Sequence, residues 1–396
     1  MRIADPIPLE VAAQLLLDAL PALTGRDRTV GLGRALGRVL ARAVRTPGDL
    51  PPFDRSLVDG FAVRVGDGPC LPLAFRVAMG DMAPPLPPGS AAAVPTGGMV
   101  PDGADAMVMQ EQATLAGGQV ALGREASPGQ NIVRRGADAR AGDVALPAGR
   151  RLRPPEIAML ATVGAVAIRV RARPRIAVLS TGDELAAAGQ APRRAQVPDS
   201  NGPALCAALA RDGAEPVRLP PVPDERVGIL AAVAAALRAH DGLLCTGGSS
   251  VGERDYVQGA LAEAFGAPPL FSGIAIRPGR PTAAFAGGGR FAVALPGHAV
   301  SALVVYELLV RPAVLRFGGE AQPRPRGVVT ARLAAAVRAP ADRDVFERVR
   351  LEGGEAVPLR GVSATIGNLA RADALVRCPA GGELAAGSTV AAALLD

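Results

Sequence analysis

The chemically most informative part of this chain is a glycine- and serine-rich segment, TGGSSVGERDY, at residues 246–256. It follows the apolar run 242–245, which is typical of a buried strand. Glycines directly after a strand let backbone N–H groups converge on an anion, and Ser249 and Ser250 add hydroxyl donors. Asp255 follows closely, where a carboxylate could hold a metal ion. The segment therefore predicts a site for a phosphorylated, metal-associated small molecule.

Two further acidic residues, Glu184 and Asp224, stand in loops after other predicted strands. Glu184 ends the motif TGDE behind the apolar run 175–180, and Asp224 precedes a predicted helix. Each acid alone would be interpreted as a turn or helix-start residue. Because the carboxyl ends of parallel strands meet at one edge of an α/β sheet, these two acids and Asp255 are expected to lie together. Carboxylates are ligands that Mg²⁺ prefers, so a carboxylate in the TGDE motif could hold a magnesium ion.

Basic side chains suited to an oxyanion lie in the motif RPGRP at residues 277–281. Arg277 and Arg280 flank a tight turn after a predicted strand, 274–276, so a tetrahedral oxyanion could sit between their guanidinium groups. The alternative is a solvated arginine pair, because the 43 basic residues of this chain are all arginine. The turn LPGHAVS at 295–301 joins a predicted strand to a helix, whose N-terminus also favours anions.

The elements that must position these residues are predicted from hydrophobic patterning. Strands and helices alternate between residues 174 and 318, which is typical of a doubly wound α/β domain that binds ligands at its strand ends. The other predicted domains are a β-rich insertion domain at 46–140, a helical/β linker domain at 1–45 plus 141–173, and a C-terminal β domain at 319–396. Within the linker domain, a helix is predicted around 33–43.

Composition excludes several classes of function. With 49% hydrophobic and 20% charged residues, the chain is predicted to be globular rather than disordered. The net charge is +6, but dispersed arginines and only 3% aromatic residues argue against nucleic-acid binding and favour small anionic substrates. The four cysteines form no CxxC pair. Without a signal-peptide pattern or a sufficiently long apolar run, the expected location is cytoplasmic, with no membrane partner.

Eight motifs in order resemble the molybdopterin molybdenumtransferase family, which includes MoeA and the E domain of gephyrin. They are PPFDRSLVDGFAVR at 51–64, PTGGMVPDGADAMVMQE at 95–111, GQNIVRRGAD at 129–138, STGDEL at 180–185, PDSN at 198–201, TGGSSVGERDY at 246–256, RPGRP at 277–281 and LPGHAVSA at 295–302. Any one motif is weak, but eight in order make chance similarity implausible. The resemblance implies an elongated homodimer of four-domain subunits, whose central α/β domain binds molybdopterin.

The resemblance also implies a reaction in molybdenum cofactor biosynthesis. Such proteins insert molybdenum from molybdate into adenylylated molybdopterin, with Mg²⁺ or a similar cation, releasing AMP and forming molybdenum cofactor. The nucleophiles are the dithiolene sulfurs of the substrate, so cations and backbone dipoles should matter more than a general base. The implied partners are adenylylated molybdopterin, molybdate, the upstream adenylyltransferase and apo-molybdoenzymes.

Residue roles follow from the resemblance position by position. The catalytic positions are Asp59, Thr96, Glu184, Asp224 and Asp255. The molybdate-binding positions are Arg277, Arg280, Ser301, Arg348 and Ser363. The molybdopterin-binding positions are Gly247, Gly248, Ser249, Ser250, Gly252, Pro296 and Gly297. Glu184 and Asp224 are the implied Mg²⁺ ligands, and Asp59 and Thr96 are expected to complete the cleft of the partner subunit.

The sequence departs from the family pattern at several of these positions. Arg277 and Arg280 stand where the family usually has lysines, which keeps the charge but changes shape and hydration. His298 and Ala299 stand where the family usually has Asn-Pro, and Ser249 stands where it usually has Val or Ile. These departures keep a second hypothesis open, a non-enzymatic carrier or scaffold that binds molybdopterin or molybdenum cofactor.

Overall fold

The computed structural model describes residues 5–20, 23, 25–186, 192–193, 195–247, 256–323, 325–359, 361 and 365–395. The chain divides into two compact units. The larger unit comprises Met1–Ala41, Gly149–Leu152 and Ile168–Asp396, and the smaller unit comprises Arg42–Ala148 and Arg153–Ala167. The four-domain division expected from the sequence is finer than this one and stays a prediction.

A six-stranded sheet, here called the central sheet, lies in the larger unit. Its strands in spatial order are Glu215–Arg218, Arg175–Ser180, Gly242–Thr246, Arg290–Leu295, Ala283–Gly287 and Phe271–Ser272. The first four are parallel, whereas Ala283–Gly287 runs antiparallel to both of its neighbours. The register pairs Ser180 with Thr246 and Thr246 with Leu295, so three parallel strands end at the same level.

Helices pack on both faces of the central sheet. Ile176 and Val178 belong to one buried apolar cluster and Ala177 and Leu179 to another, as expected for alternate residues of a strand. The first cluster includes side chains from the helices Leu9–Ala19, Asn201–Arg211 and Ala299–Val305 with its continuation to Phe317, and the second includes side chains from Arg226–Ala239 and Tyr256–Phe265. The predicted doubly wound α/β core is confirmed, with one antiparallel strand added.

A second six-stranded sheet in the larger unit, here called the C-terminal sheet, follows the helices. Its strands in order are Ile276–Arg277, Asp344–Glu352, Glu355–Pro358, Val328–Leu333, Thr389–Leu394 and Ala374–Cys378. Because Ala374–Cys378 also pairs with Asp344–Glu352, the five longer strands close into a ring. Smaller elements nearby are the strands Val337–Arg338 and Glu383–Leu384 and the helix Ile366–Ala370.

The strand predicted at 274–276 was wrong in its bounds. The strand is Ile276–Arg277, and it pairs in parallel with Asp344 and Val345 of the C-terminal sheet. The Asp344 N–H also donates to the Ala275 carbonyl at 3.0 Å. This strand is therefore bound to the C-terminal sheet, and with it the loop of the RPGRP motif at 277–281, here called the arginine loop.

The smaller unit is also rich in β structure. Its six-stranded sheet has the order Ala106–Met109, Gly60–Val63, Ala91–Val94, Cys70–Arg76, Gln119–Leu122 and Ala113–Ala116. Two short antiparallel pairs and one helix complete it: Arg55–Ser56 with Ile132–Val133, Val44–Arg45 with Val144–Leu146, and Pro154–Thr162. Further short strands of the chain are Arg28–Gly31, Ala167–Val170, Leu185–Ala186 and Val197–Pro198.

The helix predicted around residues 33–43 was wrong. Only one short 3₁₀ turn, Leu32–Arg34, occurs there. Backbone N–H groups of Gly37 and Leu40 donate to the carbonyls of Leu152 and Arg150 at 2.8 and 2.9 Å. Gly37 has φ +72°, which a continuing helix does not allow, so distant backbone partners replace the local helical hydrogen bonds.

No helix within the described ranges is both long enough and apolar enough to cross a lipid bilayer.

A buried ionic cluster around Asp212 ties the helices of one face together. Asp212 is only 7% exposed and accepts hydrogen bonds from the Tyr306 hydroxyl at 2.9 Å and from Arg211 at 2.8 Å. Arg311 contributes a further contact of 3.3 Å. Burial and the neighbouring Asp212 raise the pKa of Tyr306, so its hydroxyl stays a donor at physiological pH.

Replacing Asp212 by Ala should destabilise the larger unit by about 3–5 kcal/mol, because two arginines and a buried hydroxyl lose their common acceptor. The free energy of unfolding, measured in denaturant, tests this expectation. The control Glu352→Ala removes an exposed carboxylate paired with Arg350 and should change stability by no more than about 0.5 kcal/mol. Equal effects of the two substitutions would contradict the role of Asp212.

Candidate functional site

The loops that follow the parallel strands of the central sheet are in backbone contact. Gly247 has φ +97°, and a Cβ placed there would lie 2.0 Å from the Thr181 carbonyl oxygen. A Cβ on Gly297 would lie 3.6 Å from the Gly247 Cα. Three loops therefore meet at this edge, and at Gly247 only glycine allows the approach.

This edge contains part of the predicted molybdopterin-binding set. Gly247, Pro296 and Gly297 lie on adjacent strand ends, as expected. The remaining members, Gly248, Ser249, Ser250 and Gly252, lie outside the described residues, as does the catalytic candidate Asp255.

A polar network fixes the backbone behind the edge. The Asn201 side-chain amide donates to the Gly297 carbonyl at 2.7 Å. Asp199 accepts hydrogen bonds from the Ser180 hydroxyl at 3.0 Å and from the Gly202 N–H at 2.9 Å, and it pairs with Arg218 at 2.9 Å. These residues therefore hold the strand ends and the start of one helix at fixed distances.

Carboxylates gather beside this edge, as the sequence predicted for Glu184 and Asp224. The Asp224 N–H donates to Asp183 Oδ1 at 3.0 Å, which joins the two acidic loops. The Glu184 carboxylate folds back over Gly182, where an added Cβ would lie 2.6 Å from Glu184 Oε2. The sequence prediction did not include Asp183, although it stands beside Glu184 in the TGDE motif.

The pKa of Asp224 lies above its ordinary value. Burial raises its pKa, and the negative charges of Asp183 and Glu184 raise it further. The Thr181 side chain lies close enough to hydrogen-bond to the Asp224 carboxylate, which opposes this rise but does not cancel it. A partly buried carboxylate beside two further negative charges has the chemistry that binds a hard divalent cation.

The residues present fit a magnesium ion that is only partly coordinated by protein. No group of three or more His, Cys, Asp or Glu side chains in the described part of the chain is arranged to hold a metal ion. Mg²⁺ characteristically binds one or two carboxylates and takes its other ligands from water and substrate phosphate. Glu184 and Asp224 match that pattern.

A pocket of about 540 Å³, here called the oxyanion pocket, opens between the arginine loop and the C-terminal sheet. It is lined by residues 276–281, 296, 298, 301, 343, 345–348 and 361. The structure thus brings together Arg277, Arg280, Ser301 and Arg348, four of the five predicted molybdate-binding residues. The fifth, Ser363, lies outside the described residues.

Arg348 provides the strongest evidence that the oxyanion pocket binds an anion. Its side chain is only 7% exposed, and Nη2 donates to the Gly361 carbonyl at 3.0 Å and lies 3.6 Å from Glu347. Its Nε and Nη1 atoms are buried with no hydrogen-bond partner among the described residues. Buried donors of a charged group are costly unless they are paired, so these two nitrogens indicate that an anion belongs in the pocket.

The pocket also contains residues that the sequence analysis did not select for it. Glu347 lies in the strand Asp344–Glu352 of the C-terminal sheet, Arg343 directly precedes that strand, and His298 comes from the loop after the strand Arg290–Leu295. The dense run of charges in RDVFER, residues 343–348, was the available signal, but its significance depends on the pairing of this strand with Ile276–Arg277.

The smaller unit contains the other two catalytic candidates. The Thr96 N–H donates to Asp59 Oδ1 at 2.8 Å, so the two residues form one exposed group. Thr96 lines a pocket of about 680 Å³ together with Arg55 and Asp138, which were not selected from the sequence. Arg55 donates to the Gly97 carbonyl at 3.3 Å and so holds the loop that carries Thr96.

Comparisons with known proteins agree with this geometry. Family models match residues 7–164 (MoeA N-terminal region, domain I and II), 177–316 (probable molybdopterin binding domain) and 330–395 (MoeA C-terminal region, domain IV). A Haemophilus influenzae protein named molybdopterin molybdenumtransferase is 34% identical over 340 residues, which cover 84% of this chain and 83% of that protein. A Nostoc protein of the same name is 33% identical, over 80% of this chain and 76% of its own length.

A solved structure extends the similarity to the fold. The crystal structure of the molybdopterin biosynthesis MoeA protein from Pyrococcus horikoshii OT3 matches with a TM-score of 0.84 at 28% sequence identity. The match covers 98% of this chain and 100% of that chain.

The raised pKa of Asp224 has a measurable effect on stability. Because the folded chain holds this proton more tightly than the unfolded chain, protonation of Asp224 contributes stability below its ordinary pKa of about 3.9. That contribution is lost as the pH rises through the raised folded-state pKa. In magnesium-free buffer, Asp224→Asn should therefore melt at a higher temperature than the wild type at pH 7.

The difference between Asp224→Asn and wild type should shrink as the pH falls below about 4. Glu225→Gln, which removes the adjacent exposed carboxylate, controls for net charge. A lower melting temperature of Asp224→Asn at pH 7 would contradict the assigned direction of the pKa shift.

Proposed function

This chain belongs to the molybdopterin molybdenumtransferase (MoeA) family, and from that membership we propose that it inserts molybdenum from molybdate into adenylylated molybdopterin, releasing AMP and forming molybdenum cofactor. It is an enzyme of molybdenum cofactor biosynthesis, as its curated relatives are. The observation that carries the site assignment is the buried Arg348, which lines a pocket together with Arg277 and Arg280 and whose Nε and Nη1 have no hydrogen-bond partner among the described residues.

The oxyanion pocket suits molybdate because the ion is a tetrahedral dianion. Arg277, Arg280 and Arg348 offer planar forks of N–H donors that bind pairs of oxygen atoms, and the buried Ser301 adds a hydroxyl. Positive charge held in place before the substrate arrives stabilises charge that develops during the reaction. The pocket therefore binds and orients the metal-donating substrate.

The strand-end loops suit the pterin substrate and its phosphates. Gly247 and Gly297 expose backbone at the edge where three loops meet, and phosphate groups bind well to such backbone donors. Glu184 and Asp224 would hold Mg²⁺, which when bound supplies positive charge to neutralise the phosphates. The protein's main contribution is then to hold two anionic substrates side by side despite their repulsion.

The proposed enzyme acts as a homodimer, in which Asp59 and Thr96 of each subunit serve the site of its partner. The resemblance to the family supports this assembly, and the exposure of the Asp59–Thr96 pair is compatible with it. Apo-molybdoenzymes are the proposed acceptors of the product, and the upstream adenylyltransferase is the proposed source of the substrate.

One observation favours a second candidate function. His298, which stands where the family usually has Asn, lines the oxyanion pocket and so changes its wall directly. A chain altered there could bind molybdopterin or its cofactor without turnover and serve as a carrier. The presence of both magnesium candidates, Glu184 and Asp224, at one edge supports the enzyme instead.

Purified protein should release AMP from adenylylated molybdopterin only when molybdate and Mg²⁺ are present. Glu184→Gln and Asp224→Asn should each lower the rate by about 10²–10³-fold, the usual effect of losing one preorganised electrostatic group. The matched control is Glu215→Gln, an exposed acid at the opposite end of a strand in the same sheet. Substrate binding without molybdate-dependent AMP release from the wild-type protein would establish the carrier function instead.

The magnesium assignment can be tested without measuring activity. A ligand that binds only the folded state raises its melting temperature, so MgCl₂ should stabilise the wild-type protein in thermal unfolding. Asp224→Asn should lose most of this stabilisation, whereas Glu215→Gln should retain it. An equal response of wild type and Asp224→Asn would remove Asp224 from the ligand set.

A further inference from the structure

The join between the arginine loop and the C-terminal sheet brings a fourth arginine to the oxyanion pocket. Ile276 pairs with Asp344 and Arg277 pairs with Val345 in parallel register. Arg343 directly precedes this paired stretch and lines the pocket. The strand pairing therefore fixes Arg343 beside the loop that carries Arg277.

Asp342 holds the side chain of Arg343 in a defined position. Arg343 Nε donates to Asp342 Oδ1 at 2.9 Å, and Arg343 Nη2 donates to Asp342 Oδ2 at 2.7 Å. The same Oδ2 lies 3.4 Å from Nη1 of Arg280. One carboxylate thus connects an arginine from the RPGRP loop with an arginine from the C-terminal sheet.

Asp342 lies outside the pocket, so it is placed to orient the arginines rather than to contact a bound ion. Arg280 and Arg343 line the pocket, but Asp342 does not, and its side chain is half-exposed. Hydrogen bonding to Arg343 lowers the pKa of Asp342, so the carboxylate is ionised at neutral pH. It offsets the repulsion between the two guanidinium groups from outside the pocket.

The charged residues around the pocket favour binding of a dianion over binding of a monoanion. Four arginines line it (Arg277, Arg280, Arg343 and Arg348), against one acidic residue, Glu347, which pairs with Arg348. Each oxygen atom of a tetrahedral oxyanion can accept more than one hydrogen bond, so more than two guanidinium groups can bind the ion at once. An arginine already oriented by Asp342 loses less rotamer freedom when it binds such an ion.

We propose that Arg343 is a further molybdate-binding residue, and that Asp342 is a positioning residue that orients Arg343 and Arg280 toward the ion. This inference rests on the proposed function, because it concerns the same oxyanion pocket. It adds a residue from the C-terminal sheet that the sequence motifs did not indicate.

The test is a calorimetric titration of the whole protein with sodium molybdate alone. Arg343→Gln and Arg343→Ala should raise the Kd for molybdate by about 10–100-fold, as expected for losing a charge-assisted hydrogen bond. Arg343→Lys keeps the charge and should lie between these variants and the wild type. The matched control, Arg338→Ala, removes an exposed arginine that pairs with Glu383 in the same part of the chain, and should leave the Kd unchanged.

Steady-state kinetics distinguish a molybdate-binding role of Arg343 from a purely structural ion pair with Asp342. Arg343→Gln should raise the KM for molybdate while kcat at saturating molybdate and the melting temperature stay near wild-type values. A parallel loss of melting temperature and kcat, with KM unchanged, would mean that Arg343 only supports the fold. Should Arg343→Ala fail to fold, Arg343→Gln and Arg343→Lys still decide, since both retain a long polar side chain beside Asp342.

The outcomes separate this inference from the proposed function. If the wild-type protein binds molybdate and Arg343→Gln binds it equally well, the inference is overturned and the proposed function stands. If the wild-type protein does not bind molybdate at all, the molybdate site and the inference both fail. Weaker binding by Arg343→Gln with unchanged binding by Arg338→Ala supports the proposal.

Discussion

The Gly247 backbone lies directly against the Thr181 carbonyl, and the geometry of the site depends on this contact. A Cβ at position 247 would lie 2.0 Å from that oxygen, so no other residue permits the two strand ends to meet. The register that pairs Ser180 with Thr246 brings the loops to this point. Because Asp183 and Glu184 directly follow the strand Arg175–Ser180, the approach also sets where their carboxylates lie relative to the anion-binding backbone.

The charged side chains near this edge form two groups, one of carboxylates and one of arginines. Without a ligand, each group is energetically unfavourable. Burial and the charges of Asp183 and Glu184 raise the pKa of Asp224 on one side, and Arg348 on the other has buried donors without a partner among the residues that the structure describes. Under the proposed function, a cation would relieve the carboxylates and an oxyanion would relieve the arginines. The fold therefore gives up some stability in the free protein, and part of the substrate binding energy recovers it.

Sequence patterns predicted those parts of the site whose position follows from the geometry of a parallel sheet. Parallel strands end at the same edge, so Glu184, Asp224 and Gly247 could be placed together from local patterns alone. The position of the arginine loop could not be predicted in this way. Ile276–Arg277 pairs with a strand almost 70 residues further along the chain, and no local sequence pattern indicates that partner. The helix expected at 33–43 failed for a similar reason, since distant carbonyls took the backbone donors of Gly37 and Leu40.

The arginine-for-lysine exchange in the RPGRP loop has a structural meaning that composition alone does not give. Asp342 connects Arg280 to Arg343 through one oxygen atom, and a guanidinium can make such a contact at one edge while its other N–H groups face the pocket. A lysine has a single nitrogen and would have to divide one small group between carboxylate and oxyanion. A short strand pair, in which Ile276 and Arg277 face Asp344 and Val345, also joins these walls of the pocket. The shared carboxylate is a further link between them, made to a guanidinium group on each side.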